Sequence, residues 1–195
     1  MLDFNQQIDA NTDFAAGAVL LINKPIKWSS FDVVKKIRGI LKSNSNYKKI
    51  KVGHAGTLDP LATGLLIICT GKYTKKISEI QNEDKIYTGE ITLGGTTPSF
   101  DKETKVNKTY KTDHINEDMI HSRCDDFIGE ILQYPPIFSA LKINGKRLYK
   151  YARDGEIIKT NPRLVTIRSF EITKISMPKL EFKISCGKGT YIRSL

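Results

Sequence analysis

"GHAGTLDPLATGLLIICTGKYTK", residues 53–75, moves from a glycine- and threonine-rich loop to an almost uncharged run and then to a polar segment with helical spacing. "LLIIC" (65–69) reads as a buried strand and "KYTKKISEI" (72–80) as a short helix. Asp59, between Leu58 and Pro60, is the single carboxylate of the stretch. It lies among glycines that allow close backbone approach to a ligand.

Working outward, "AVLLINKP" (18–25) predicts a short buried strand stopped by Pro25. In "SSFDVVKKIRGILKS" (29–43), Val33, Val34, Ile37, Ile40 and Leu41 recur at helical spacing, and Ser29 with Asp32 fits a capping box. The polar connection "SNSNYKKIK" (43–51) returns to the opening loop. Downstream, "KIYTGEITLG" (85–94) alternates, with Tyr87, Gly89, Ile91 and Leu93 on one face of a strand. "GGTTPSFDKETKVNKTYKTD" (94–113) reads as a long mobile loop. "INEDMIHSRCDDFIG" (115–129) has helical spacing, with Gly129 as C-cap. Asn144-Gly145 signals a tight turn, and "RLVTIRSFEITKI" with "LEFKISCG" gives two strands joined near Met177-Pro178. Strand and helix signals mix without regular alternation. The expectation is an α+β fold with a mixed, mainly antiparallel central sheet flanked by helices.

A chain of 195 residues, 39% hydrophobic and 27% charged, fits one domain with a real core. Its net charge of +10 is uneven. Residues 24–51 hold nine Lys or Arg against one Asp, and residues 130–195 hold thirteen against five acids, whereas the remainder is net acidic. Two basic zones suit a polyanionic partner. Cys69, Cys124 and Cys186 are odd in number, far apart and without a C-x-x-C, so neither a disulfide framework nor a zinc site is expected and a reducing compartment fits. Residues 1–17 carry three aspartates and no Lys or Arg, unlike a signal or transit peptide, and no apolar run is long enough to span a membrane.

Several chemistries fail on the opening stretch. A phosphate loop requires G-x-x-x-x-G-K-[ST], but six residues separate Gly64 from Gly71 and Tyr73 follows Lys72. His54 and Asp59 are flanked by Ala, Gly, Thr and Leu, with no ligand cluster for a metal. A glycosidase pair requires two carboxylates, and the next acid is Glu79. What survives is an isolated acid in a turn, either a turn former or a nucleophile.

"GHAGTLDPLATGLL" resembles the catalytic motif of the tRNA pseudouridine-55 synthase family of the TruB type. "NKPIKWSSFDVVKKIR" (23–38) resembles that family's lysine-proline segment and "DKIYTGEITLG" (84–94) its tyrosine strand. "QYPPIFSALKINGKRLYKYARDGE" (133–156) resembles its central signature and "GKGTYIRSL" (187–195) its arginine segment. The matches keep the family's order over nearly all of 18–195. Lys27 stands where the family usually has glycine, and Ser29 where it usually has threonine.

The resemblance implies an enzyme that isomerises uridine 55 in the tRNA T-loop to pseudouridine. Asp59, Tyr87 and Arg193 match its catalytic residues: the aspartate, the tyrosine that stacks on the target base, and the arginine that pairs with the carboxylate. His54, Lys24, Thr57 and Leu58 match RNA-contacting positions. The resemblance leaves open whether the aspartate attacks the ribose anomeric carbon, adds to C6 of the base or removes a ribose proton. It also implies no metal or cofactor, a tRNA T-stem-loop partner, a monomer, and cytoplasmic location. By domain, it implies a polar leader over 1–17 and a catalytic domain over 18–195, without the rest of that domain or the PUA-type RNA-binding domain of relatives. A noncatalytic RNA-binding protein or tRNA chaperone, and a uracil glycosylase, are the alternatives. "TYIRSL" reads as the start of a helix.

Overall fold

The computed structural model describes residues 8, 9, 11–44, 47–156 and 158–195. The chain forms two compact units, the first ending at Glu83 and the second beginning at Asp84.

In the first unit, strand β1 (Val19–Lys24), helix α1 (Ser30–Asn44), strands β2 (Val52–His54) and β3 (Gly64–Thr70), a 3-10 turn (Gly71–Lys76) and helix α2 (Ile77–Asn82) follow in order. The sheet order is β1-β3-β2, antiparallel throughout, with Val19 opposite Cys69, Lys24 opposite Gly64 and His54 opposite Ile68. Helix α1 begins in the expected capping box: Asp32 N–H donates to Ser29 Oγ at 3.2 Å, and Ser29 N–H donates to the Asp32 carboxylate at 3.0 Å. Its apolar stripe places Val33, Val34 and Leu41 against Ile50, Val52, Leu66 and Ile68. Each such aliphatic side chain contributes roughly 1.5–3 kcal/mol on burial. Residues 45 and 46 lie outside the described set.

Residues 13–17, expected within a polar leader, are tied to this unit. Thr70 Oγ donates to the Phe14 carbonyl at 2.9 Å, Lys72 N–H to the Ala15 carbonyl at 3.2 Å, and Tyr47 OH to the Asp13 carboxylate at 3.0 Å. Gly71 sits at φ +51 with the Ala15 carbonyl oxygen 2.2 Å from where a Cβ would stand, so only glycine permits the crossing.

The second unit contains β4 (Lys85–Thr92), β5 (Gly95–Thr96), β6 (Lys108–Thr109), α3 (Glu117–Asp125) and β7 (Gly129–Gln133). Next come β8 (Lys142–Ile143), β9 (Lys146–Arg147), α4 (Leu148–Arg153), β10 (Arg163–Ser176), β11 (Lys179–Cys186) and a 3-10 turn, Ile192–Ser194. Its main sheet has the order β4-β11-β10-β7 and is again antiparallel, with Tyr87 opposite Ile184 and Gly89 opposite Phe182. A Cβ at Gly89 would stand 2.7 Å from the Phe182 ring, so the glycine leaves room for that ring to lie across β4. Phe182 meets Phe170 edge-on, with centroids 6.1 Å apart, in a core with Ile167, Ile184, Cys124 and Cys186.

The α+β expectation is met, and each strand pairing among the described residues is antiparallel. Asn144 and Gly145 both take positive φ, 51° and 78°, and close the β8–β9 hairpin as a type I′ turn. Two expectations differ. The segment 94–113 is no featureless loop, because β5 pairs with β6 and the buried Ser99 hydroxyl lies 2.7 Å from the Thr104 hydroxyl. Gly129 is not the C-cap of α3, a position Asp126 takes; its φ of +101 instead turns the chain into β7. No helix among the described residues is long and apolar enough to cross a membrane.

Candidate active site

The loop 55–63 joins β2 to β3 and carries Asp59. Its backbone is gripped on both sides of the acid. On the amino side, Leu58 N–H donates to Ser30 Oγ at 2.9 Å, and the same hydroxyl donates to the Leu58 carbonyl at 3.2 Å. Ser30 is 4% exposed and opens α1, so the helix fixes the loop through one side chain. On the carboxyl side, the Pro60 carbonyl accepts from Lys27 N–H at 2.7 Å and from the Lys24 ammonium at 3.4 Å. Ala62 N–H closes a turn onto the Asp59 carbonyl at 3.0 Å.

Lys24, expected among the RNA contacts, is 0% exposed. Its ammonium donates to the carbonyls of Trp28 at 2.6 Å and Pro25 at 3.1 Å as well as to Pro60. A fully buried ammonium engaged with three carbonyls does not reach a ligand; here it positions the loop. Burial pushes this ammonium below its usual value, and the negative charge of Asp59 draws it partly back up. Lys27 holds φ at +68, the left-handed region where the family's usual glycine is unstrained.

His54 ends β2 and is partly buried. Its Nδ1 is hydrogen-bonded to the Gly56 carbonyl. A carbonyl can only accept, so Nδ1 carries the proton and the ring's orientation is set by its own loop. Thr57 is exposed, while Leu58 and Asp59 are half-buried.

In the second unit, Tyr87 lies on the inner face of β4, partly buried against the aromatic core. Arg193 lies in the 3-10 turn rather than in an α-helix. Its guanidinium donates to the carbonyls of Phe138 at 2.8 Å and Ser99 at 3.3 Å and stands 3.7 Å from the Asp101 carboxylate. Its side chain is 9% exposed. Tyr191, two residues before Arg193, is fixed by Gln133, whose amide accepts from Tyr191 N–H at 2.8 Å and donates to the Tyr191 carbonyl at 3.0 Å. Ser30 and Gln133 are not among the site residues expected from the sequence. The doubled serine hints at the first; the second opens the 133–156 signature, but nothing in that stretch marks its hold on Tyr191.

Among the described residues no group of three or more His, Cys, Asp or Glu is placed to hold a metal. All three cysteines are free and buried, and burial raises each thiol above its usual value. The first unit therefore offers one carboxylate on a loop gripped from both sides, and the second unit a guanidinium shielded from solvent.

The model of the TruB family pseudouridylate synthase N-terminal domain matches residues 42–192. The chain belongs to this family. It is 56% identical over 184 residues to the tRNA pseudouridine synthase B of Flavobacterium johnsoniae, covering 94% of this chain and 80% of the relative. Against the enzyme of the same name from Chloroherpeton thalassium it is 49% identical over 180 residues, covering 92% and 74%. Among solved structures, a chain in a Cbf5–Nop10–Gar1 complex superposes with a TM-score of 0.65 at 25% identity, covering 98% of this chain and 49% of that one. A chain of an H/ACA RNP bound to a substrate RNA containing 2′-deoxyuridine gives 0.60 at 24% identity, covering 90% and 39%. The present chain thus spans less than half of either solved chain, and the second likeness speaks for the fold alone.

Proposed function

We propose that this chain isomerises uridine 55 in the T-loop of tRNA to pseudouridine, with Asp59 as the group that acts on the extruded nucleotide. The observation that carries the reading is the Asp59 loop: one carboxylate, its flanking residues held by Ser30, Lys27 and Lys24, in a family of pseudouridylate synthases. The reaction breaks the N-glycosidic bond, joins C1′ to C5 of the base, releases the C5 proton and leaves a proton on N1. No redox equivalent enters, and neither metal nor cofactor is assigned to it. A base in a structured loop must first leave its stack, at a cost of a few kcal/mol. Stacking on Tyr87 returns about 1–3 kcal/mol per base. Arg193 is the cation assigned to keep Asp59 ionised, and His54, Thr57 and Leu58 are assigned to the opened loop. The catalytic region is assigned to 18–195, acting as a monomer in the cytoplasm.

The test is Asp59→Asn, which keeps shape and removes the charge. Tritium release from C5-labelled T-stem-loop RNA should fall at least about a thousandfold, roughly 4 kcal/mol in the barrier, while RNA affinity stays within a few-fold. Turnover within tenfold of the parent refutes the assignment of Asp59. Release of free uracil by the parent replaces isomerisation with glycosylase chemistry.

A further inference from the structure

Outside the Asp59 loop, the first unit contains a groove of about 260 Å³ lined by Ala15, Lys49, Lys51, Gly71, Lys72 and Lys75 among others. Three backbone segments build it. Gly71 N–H donates to the Lys51 carbonyl at 2.9 Å, Lys72 N–H donates to the Ala15 carbonyl at 3.2 Å, and Val52 pairs with Thr70 in the sheet. The four lysines come from the approach to β2 and from the 3-10 turn after β3, so the ladder that shapes the Asp59 loop at one end gathers four cations at the other.

Their charge is uncompensated. All four are exposed, and among the described residues none forms an ion pair within 4.0 Å. Lys72 is coupled electrostatically to Asp13, whose carboxylate already accepts from Ala15 and Ala16 N–H and Tyr47 OH. Some lysines elsewhere are paired: Lys146 sits at 2.6 Å from Asp154 and 2.8 Å from Glu156, and Lys179 at 3.1 Å from Glu90. Four like charges around one groove repel one another, and a chain of phosphates placed among them relieves that repulsion and releases counterions.

The lining also says which nucleic acid fits. It includes no aromatic ring on which an unpaired base could stack. Lysine contacts phosphate as a point charge, which positions a backbone without reading bases. Lys51 immediately precedes β2 and stands three residues before His54, about 10 Å of extended chain. The groove is therefore beside the nucleotide-handling loop but apart from it. Resting on the function proposed above, we infer that this groove takes the phosphodiester backbone of the base-paired RNA stem adjoining the modified loop.

The test compares the full chain with K49Q/K51Q/K72Q/K75Q, measuring affinity as a function of salt for a T-stem-loop and for a linear oligonucleotide of the loop sequence. For the stem-loop, the slope of log K against log salt should become shallower by about 3, from four phosphate contacts at about 0.9 each in duplex less end losses. Binding of the linear oligonucleotide and kcat at saturating stem-loop should be unchanged, which also shows that the variant is folded. The pairs K49Q/K51Q and K72Q/K75Q should each give about half the effect, so a folding failure in the quadruple variant does not shelter the inference. An unchanged stem-loop slope overturns it. An equal loss for stem-loop and linear oligonucleotide overturns the assignment to the stem. The two readings separate cleanly: a parent that makes pseudouridine while the variant binds with the same slope sinks the groove alone. A parent that binds stem-loop through these lysines but makes no pseudouridine sinks the proposed function alone.

Discussion

Lys24→Met asks whether a buried cation holds the Asp59 loop in place. Methionine keeps an unbranched stem of similar length and removes the ammonium, so packing is nearly conserved. Three carbonyls lose a donor, but unequally. Pro60 keeps Lys27 N–H at 2.7 Å and Pro25 keeps Trp28 N–H at 3.4 Å, whereas the Trp28 carbonyl loses its 2.6 Å charge-assisted bond. The expected cost is that of about one buried carbonyl left without its partner, ~1–3 kcal/mol. Removal of a buried charge offsets part of it. For a chain of this size each kcal/mol is worth about 2–4 °C in melting temperature.

Activity should suffer more than stability. The Ser30 and Lys27 contacts remain, so the loop persists, but the carboxyl side of Asp59 loosens. A displacement on the order of 1 Å costs up to about a hundredfold in rate. Single-turnover pseudouridine formation should therefore drop by roughly ten- to a hundredfold at unchanged RNA affinity. Alkaline titration supplies a second signature. Burial sets the folded Lys24 below 10.5, so the folded state sheds this proton before the unfolded state does. As pH climbs from the lowered value to 10.5, this group's contribution to stability rises while its grip on Pro60 weakens, and Lys24→Met should show neither trend. A variant as stable and as fast as the parent would refute the positioning role.

Lys27→Gly should stabilise the protein by roughly 0.5–1 kcal/mol, because relief of a left-handed side chain exceeds the extra entropy of glycine in the unfolded state; a lower melting temperature would contradict this. The Asp32 carboxyl lies below its usual 3.8 because it accepts from the Ser29 hydroxyl and N–H. A depressed carboxylate contributes stability above the unfolded value that is lost as pH falls through the folded one, so Asp32→Ala should melt below the parent at pH 7 and converge with it as pH drops beneath 3.8. A gap that persists undiminished in acid would remove the ionised capping box from the account.

The elements legible in the sequence were those whose signal is periodic or local. β1, α1, β3 and the β10–β11 pair carry alternating or helical apolar positions long enough to be read, and Asn144-Gly145 forces its own turn. β2 has three residues and α4 six, too few for a period to show. The segment 94–113 is polar, and its order comes from the Ser99–Thr104 contact and a two-residue ladder, neither of which leaves a compositional mark. Within the candidate site, residue types could be matched to the family, but their supports are tertiary. Ser30 reaches Leu58 across 28 positions and Gln133 reaches Tyr191 across 58.

The lone acid of residues 53–75 then has a physical account inside its own unit. What steadies the loop arrives from outside it: the Ser30 hydroxyl, which accepts from Leu58 N–H and donates to the Leu58 carbonyl, the Lys27 amide and the Lys24 ammonium. Carbonyls of the loop and of the Pro25–Trp28 turn satisfy that ammonium, and the negative charge of Asp59 favours its charged form against burial. A second carboxylate in the loop would compete for this cation, drawing it away from Pro60 and loosening the carboxyl side of the turn. Burying a lysine is costly, and here the cost is matched to a loop that must present one acid in one place.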